Sequence, residues 1–537
     1  MLNVHALEAQ IHEAMNGTKV PGLALAIVHD WRLVYARGFG VTSVEDGGLA
    51  VTPRTLFRIG SVTKALTATA VMRLVDSGAL ALDRPIGEYL PWLRLSMDGA
   101  EERITLRMLL SHTSGLTTSY AWFGRRDPDG LELYVREDIP GYSFVATPGK
   151  LFFYSNPGFR LAGYIAQQIA GRPYVELMKD LVFEPLGMNR TTFDLTVAMT
   201  YPLAHSHDLR DDGTLSVQHR FGDNTGYYPS GACLSTVEDM AKFAIMEMSG
   251  GEVGDRSFLP AAAVREMQAN QIDIYTTPGA GYGLGLFTDE YKGLRRAGHE
   301  GYVGTFGSRL MMVPEAGTAV ILTFNRAGGF WQRAIGLVDR ILDELLGLAP
   351  KRPEPVAVEP DRSLWPLFTG SYVSDWRGLA EIWTEDGELM LGWNGEKLCL
   401  EAYSADHYYG QRADSDEIVG VGFILEGEEP LQYILIQDLP LRRTQPYPSF
   451  VPDHKRWGAY AGEYRGQTKA VVRVEGERLF VSAEGFPFHK ELPCIPLSNT
   501  LFACDNGLVE FVVSDGGSVS AMRLFNLHTL VRAAGDA

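Results

Sequence analysis

A chain of 537 residues is longer than one hydrophobic core usually serves, so two or three domains are expected. An apolar fraction of 45% with 21% charged residues is that of a soluble globular protein, and 48 basic against 66 acidic residues leave a net charge of -18. That balance argues against nucleic-acid or anionic-membrane partners, and no local basic cluster reverses it.

The first residues, Met1 to Glu8, lack a basic head followed by an apolar core, and no apolar run is long enough to span a bilayer. A cytoplasmic protein without a membrane partner is the expectation. Cys233, Cys399, Cys494 and Cys504 are widely spread, with no Cys-x-x-Cys pair and no adjoining histidines. Free thiols and no metal site are expected, with a Cys494–Cys504 bridge as the alternative.

Residues 4–16 have the spacing of an amphipathic helix, broken by Gly17 and then Pro21-Gly22. Leu23 to Val28 and Leu33 to Gly40 read as two strands of a hairpin, turning at Asp30-Trp31-Arg32. A helix follows from Val62 to Val75, with Gly78 as its C-terminal cap. Ser61 and Lys64 stand at its head, one turn apart on one face. A hydroxyl is a poor nucleophile at neutral pH, and a lysine of lowered pKa would accept its proton. Alone, Ser-x-x-Lys is a weak signal, and a solvated serine and lysine on a helix is its plainer reading.

Thr105 to Leu110 starts a further helix that ends in Ser111-His112-Thr113-Ser114-Gly115-Leu116. Tyr154-Ser155-Asn156 lies on a loop before a helix from Phe159 to Ile169. There a phenol can relay a proton, and a carboxamide can hold an ammonium or a substrate amide. The plain alternative is a tyrosine packed with Phe152 and Phe153 beside a turn-forming asparagine. Thr236 to Asp239 has the form of a capping box, opening a helix to Met248. Gly281 to Leu286 reads as a strand, followed by His299-Glu300-Gly301 and by the strands Arg309–Val313 and Ala319–Phe324. An amphipathic helix from Asp339 to Leu348 closes this part.

Four prolines between Pro350 and Pro360 mark a linker over residues 350–363. Beyond it the texture is of short strands and acidic turns, with an internal echo about ninety residues apart. Leu367-Phe368-Thr369-Gly370-Ser371-Tyr372 matches Ala459-Tyr460-Ala461-Gly462-Glu463-Tyr464, and each copy leads into a hairpin. Two related antiparallel β-units are expected, at residues 364–452 and 453–537.

Ser61-Val62-Thr63-Lys64, Leu109 to Leu116, Tyr154-Ser155-Asn156 and His299-Glu300-Gly301 stand in an order that resembles the class C β-lactamases, DD-peptidases and related esterases. The resemblance covers residues 1–349. It implies an α+β fold, an antiparallel sheet flanked by helices plus a helical region. It also implies Ser61 as nucleophile, Lys64 as its activating partner and Tyr154 as proton shuttle. Asn156, His299 and Gly301 would bind substrate. The backbone N–H groups of Ser61 and of a residue between Tyr302 and Thr305 would form an oxyanion hole. No metal or cofactor is implied.

The third motif departs from Lys-Thr-Gly, because His299 replaces a fixed positive charge with a group that is largely neutral near pH 7. That puts β-lactamase activity in doubt and resembles the esterases and D-aminopeptidases of the family. A hydrolase domain followed by two β-barrels resembles bacterial D-aminopeptidase, in which a loop of the last barrel helps recognise the substrate amine. Glu475 to Glu477 and Glu484-Gly485-Phe486-Pro487 are candidates for that loop, and a solvated turn is the plainer reading of either. A serine hydrolase of small molecules or short peptides with D-amino-acid N-termini is therefore expected, with a homodimer left open. A broad carboxylesterase and a non-catalytic binding protein are the competing readings.

Overall fold

The computed structural model describes residues 2–119, 123–349, 356–375, 378–393, 395–412, 417–425, 431–444, 452–466, 469–483, 491–504, 507–514, 517–524 and 528–533. It falls into two compact units, Met1–Asp273 with Gly279–Glu354, and Ile274–Pro278 with Pro355–Ala537. Residues 350–355 of the expected linker and Glu484 to Pro487 lie outside the described residues.

The first unit is built on an antiparallel eight-stranded sheet. Its strands are β1 (Gly22–His29), β2 (Arg32–Gly40), β3 (Ile272–Asp273), β4 (Gly281–Tyr282), β5 (Phe287–Tyr291), β6 (Leu294–Val303), β7 (Phe306–Val313) and β8 (Thr318–Phe324), in the order β2-β1-β8-β7-β6-β5-β4-β3. The hairpin turns on Asp30 and Trp31, both left-handed. The β1 sequence is apolar throughout because the sheet is covered on both faces. Leu23, Leu25 and Ile27 meet α1 (Val4–Thr18) and a C-terminal helix, Trp331–Leu346. Ala24, Ala26 and Val28 face the larger helical side, which contains Thr63–Asp76, Asn156–Ala170 and Val237–Met248. These are numbered α2, α3 and α4. Small residues on that side let the helices approach the sheet.

Two expectations are corrected. Gly17 does not break α1, which runs to Thr18 and ends on a left-handed Lys19. The strand expected over Gly281 to Leu286 stops at Tyr282, because Gly283 N–H turns back to Leu286 O (2.8 Å) and Gly285 is left-handed. A Cβ on Gly285 would stand 2.8 Å from Ala68 Cβ and 2.9 Å from Lys64 O, so this turn packs directly on α2.

The second unit holds two closed antiparallel barrels of eight strands each. The first runs from Gly370–Ser374 to Leu439–Thr444, and the second from Gly462–Arg465 to His528–Arg532. The sequence echo is carried by matching bonds. Tyr372 O–H donates to Phe368 O (2.7 Å), and Tyr464 O–H to Tyr460 O (2.8 Å). Phe368 stacks on Phe423 as Tyr460 stacks on Phe511, with interplanar angles of 4° in both. Each barrel thus carries the same stacked aromatic pair and tyrosine bond. The four cysteines are free.

Candidate active site

Ser61 lies in a 3-10 turn, Gly60–Val62, that leads into α2. Neighbouring segments pin this turn from two sides. Phe57–Arg58 pairs with Leu234–Ser235, and Ile59 N–H donates to Cys233 O (3.0 Å). On the other side Ser308 Oγ donates to Ile59 O (2.7 Å). Thr63 Oγ closes the turn by donating to Gly60 O (2.6 Å). Gly60 is left-handed, and a Cβ on it would lie 2.7 Å from the backbone nitrogen of Tyr302.

Lys64 is fully buried one helical turn behind the half-buried Ser61. Its Nζ lies 3.0 Å from Ser61 Oγ, 2.8 Å from Asn156 Oδ1 and 2.6 Å from Ser230 O. Burial first, and then the positive field of Arg160, hold its pKa well below the ordinary lysine value. Nζ donates to the two carbonyl oxygens, which cannot donate in return, so the Ser61 hydroxyl is the one of its three partners from which a neutral amine could accept a proton. The amide of Asn156 is oriented by Nδ2, which donates toward Thr118 Oγ1 (3.4 Å) and Ser119 O (3.3 Å).

Asn156 is the first residue of α3 rather than part of a loop. Ser155 caps that helix, accepting from Gly158 N–H (3.2 Å), and Pro157 sits where a missing N–H costs nothing. The cap fixes Tyr154 one residue before it, with Lys64 Nζ 4.7 Å from the Tyr154 ring centroid.

Beneath Tyr154 lies an aromatic bed in which both histidines are neutral. His112, left-handed at φ 59°, accepts from Ser155 N–H through Nδ1 (3.0 Å), which places its own proton on Nε2. Its ring centroid is 4.2 Å from that of Tyr154. Burial and the Lys64 charge hold its pKa well below the usual histidine value. His299 is 1% exposed. Its Nδ1 donates to Glu300 O (2.6 Å), and its Nε2 accepts from Tyr282 O–H (3.0 Å). Burial, aided by Lys64, pushes its pKa down to about 3. Both ring nitrogens of His299, a residue expected to meet substrate, are engaged by protein groups.

Gly301 is required by close approach, because a Cβ there would stand 2.0 Å from Ile59 O and 2.4 Å from Ser308 Oγ. It lets β6 lie on the Ser61 turn. Of the stretch Tyr302 to Thr305, the amide beside that turn is the Tyr302 amide, while Thr305 N–H is committed to Ser206 Oγ (3.2 Å).

Sequence reasoning missed Ser230, Tyr282 and Arg160. Ser230 reaches Lys64 across 166 residues and Tyr282 sits in an apolar run, so neither carried a local signal. Arg160 did carry one, a charge four residues after Asn156 in an otherwise apolar stretch of helix. A cavity of about 430 Å³ is lined by Phe123, Phe221, Tyr227, Val303 and Phe306 together with His219, Arg220 and Asp223. Its wall includes Arg58 and Ala232, from the segments that carry Ser61 and Ser230. Among the described residues, no cluster of His, Cys, Asp and Glu is arranged to hold a metal ion, and no helix is long and apolar enough to cross a membrane.

Residues 7–342 match the family model described as Beta-lactamase. Penicillin-binding protein 4 of Amycolatopsis lactamdurans is 30% identical over 356 residues, 64% of this chain and 92% of its own length. Unguisins hydrolase ungD' of Aspergillus campestris is 26% identical over 64% of this chain and 65% of its own length. The octameric penicillin-binding protein homologue from Pyrococcus abyssi is similar in structure, with a TM-score of 0.57 and 27% identity over 82% of this chain and all of its own. SurE, solved with D-Leu, shares the fold at a TM-score of 0.60 and 24% identity over 82% of this chain and 99% of its own. A family match over more than half of the chain, together with the Amycolatopsis relative, places this protein in the β-lactamase family of serine hydrolases.

Proposed function

We propose that this chain cleaves small amides and short peptides through an acyl-enzyme on Ser61, favouring substrates with a free D-amino-acid N-terminus. The observation that carries the reading is the Lys64 amine, whose two N–H bonds are absorbed by Asn156 Oδ1 and Ser230 O while its third position faces Ser61 Oγ at 3.0 Å. In this reading Lys64 accepts the serine proton as Oγ attacks the substrate carbonyl. The developing oxyanion is received by the N–H groups of Ser61 and Tyr302. Tyr154 gives its proton to the leaving amine and takes the serine proton from Lys64 in exchange, and water later retraces the path to release the acid and restore Ser61. Asn156 holds Lys64 and meets the substrate amide.

The neutral third motif supports a substrate without a free carboxylate on its leaving side, since His299 offers no fixed positive charge. The relative named Unguisins hydrolase supports hydrolytic chemistry. The two C-terminal barrels, the layout of the D-aminopeptidases that the sequence resembles, support recognition of a free amine. The aromatic side chains of the cavity that reaches Arg58, three residues before Ser61, favour a second reading, a carboxylesterase of apolar acyl groups.

Hydrolysis of D-alanine and L-alanine p-nitroanilides beside p-nitrophenyl acetate separates the two. The D-anilide is expected to be preferred, N-acetylation to abolish its turnover, and Ser61→Ala to lose all activity while keeping its fold. Ester turnover without anilide turnover would establish the esterase, and full activity in Ser61→Ala would overturn the whole assignment.

A further inference from the structure

Arg160 is fully buried in α3, four residues after Asn156 and on the same helix face. Its Nε donates to Ser230 Oγ (3.1 Å), one terminal nitrogen to Ser119 Oγ (3.1 Å) and the other to Ser119 O (3.1 Å). The guanidinium carbon lies 4.8 Å from the Tyr134 ring centroid and 4.3 Å from that of Tyr227. Among the described residues it forms no ion pair with a carboxylate. Neutral oxygens and aromatic faces hold it throughout.

An arginine cannot discharge in a protein, so this is a permanent cation without a counter-ion in the interior. Burying such a charge is unfavourable before its partners offset it, and an apolar side chain would fill the space without that cost. Its placement suggests what the cost supports. Both residues that bind Arg160 also hold the pair in front of it: Ser230 O accepts from Lys64 (2.6 Å), and Ser119 O accepts from Asn156 Nδ2 (3.3 Å).

We propose that Arg160 is a positioning residue for acylation, a fixed cation behind Lys64 that favours the free amine and, through Ser230 and Ser119, aims it at Ser61. The proposal rests on the hydrolase reading above and deepens it. When two cations share a dry compartment, the one able to release its proton does so. The direction of the Lys64 shift agrees, with Arg160 the second cause after burial. The other titratable groups facing the pair are Tyr154 and His112 from the segments before α3, His299 from β6, and Tyr134 and Tyr227 around the guanidinium. Both histidines are held neutral, so Arg160 is the charge that acts on Lys64.

The test is the rate at which a fluorophosphonate labels Ser61 as a function of pH, in the full-length protein and in Arg160→Gln, Arg160→Met and Arg160→Lys. The unaltered protein is expected to show an inflection well below the ordinary lysine value. Removing the charge should move that inflection alkaline by about one pH unit or more, with the high-pH rate largely recovered, and Arg160→Lys, whose buried ammonium can itself release its proton, should move it in the same direction. A uniform loss at every pH with an unmoved inflection would reveal a merely structural role and overturn the proposal. Should the neutral variants fail to fold, the unaltered protein still decides, because an inflection near pH 10 would mean that nothing discharges Lys64 and would equally overturn it. Absence of Ser61 labelling at any pH is a different result, one that sinks the hydrolase reading itself.

Discussion

Lys64, His112 and His299 share one buried compartment, and burial drives all three toward their neutral forms. For the lysine this favours the form that can accept a proton. For the histidines it creates an acid-sensitive fold. His299 has its pKa depressed from 6.5 to about 3, so between those values the unfolded chain binds a proton that the native state does not. Stability from this group is complete above pH 6.5 and is lost as pH falls toward 3. The loss amounts to about 2 kcal/mol between pH 6.5 and 5, and His112 adds a loss of the same sign. Thermal melts at pH 7, 6 and 5 should show a progressive fall, and His299→Gln should flatten it. Asn156→Asp tests the lysine in the same sense as removal of Arg160, by adding a negative charge in place of taking away a positive one. A carboxylate 2.8 Å from Nζ would favour the ammonium, so the acid limb of kcat/KM should move alkaline and activity at pH 7 should fall roughly tenfold or more.

At the scale of elements, the site is a set of close approaches around α2. Gly285 lets the turn after β4 lie on the Lys64 backbone, and Gly301 lets β6 lie on the Ser61 turn. Gly301→Ala would drive a Cβ into the Ile59 carbonyl, and that backbone cannot yield without moving Ser61. Since the Tyr302 amide rides on the same strand, kcat on p-nitrophenyl acetate should drop by about a hundredfold, with a smaller change in KM. An unchanged kcat would remove Tyr302 from the oxyanion site. Much at this scale was legible beforehand. Thr105 and Thr236 cap helices where the sequence placed them, and strands β1, β2, β7 and β8 fall where alternation or apolar runs placed them. The stretch after β4 was not, because small residues at close spacing suit a strand and a tight turn equally, and only the presence of α2 beneath it selects the turn.

Over the whole molecule, the second unit includes the five residues Ile274–Pro278, although they are separated in sequence from the barrels. Tyr275 is left-handed and lies against Ile418–Phe423 of the first barrel, where Gly420 and Gly422 make room for it. A Cβ on Gly420 would stand 1.9 Å from Tyr275 O, and one on Gly422 would stand 2.2 Å from the Tyr275 ring. Gly422→Val should therefore expel Tyr275 and destabilise this unit by about 1–3 kcal/mol, read as a lowered denaturant midpoint for barrel tryptophan fluorescence. An unaltered midpoint would show that the docked tyrosine contributes nothing to barrel stability.

The sequence alone determined the order of the motifs, the family they resemble and the doubling of the C-terminal β-units, because each of these is written in local spacing or in a repeat. It also placed Ser61 and Lys64 on one helix face, which the 3.6-residue period requires. Only the tertiary structure decided what these groups are chemically. The lowered proton affinity of Lys64 depends on its burial and on Arg160, its orientation on Asn156 and Ser230, all from distant parts of the chain, and the neutral His299 depends on burial beneath a tyrosine of another strand. Proton affinity is set by burial and by the field of neighbours, and neither exists until the chain has folded.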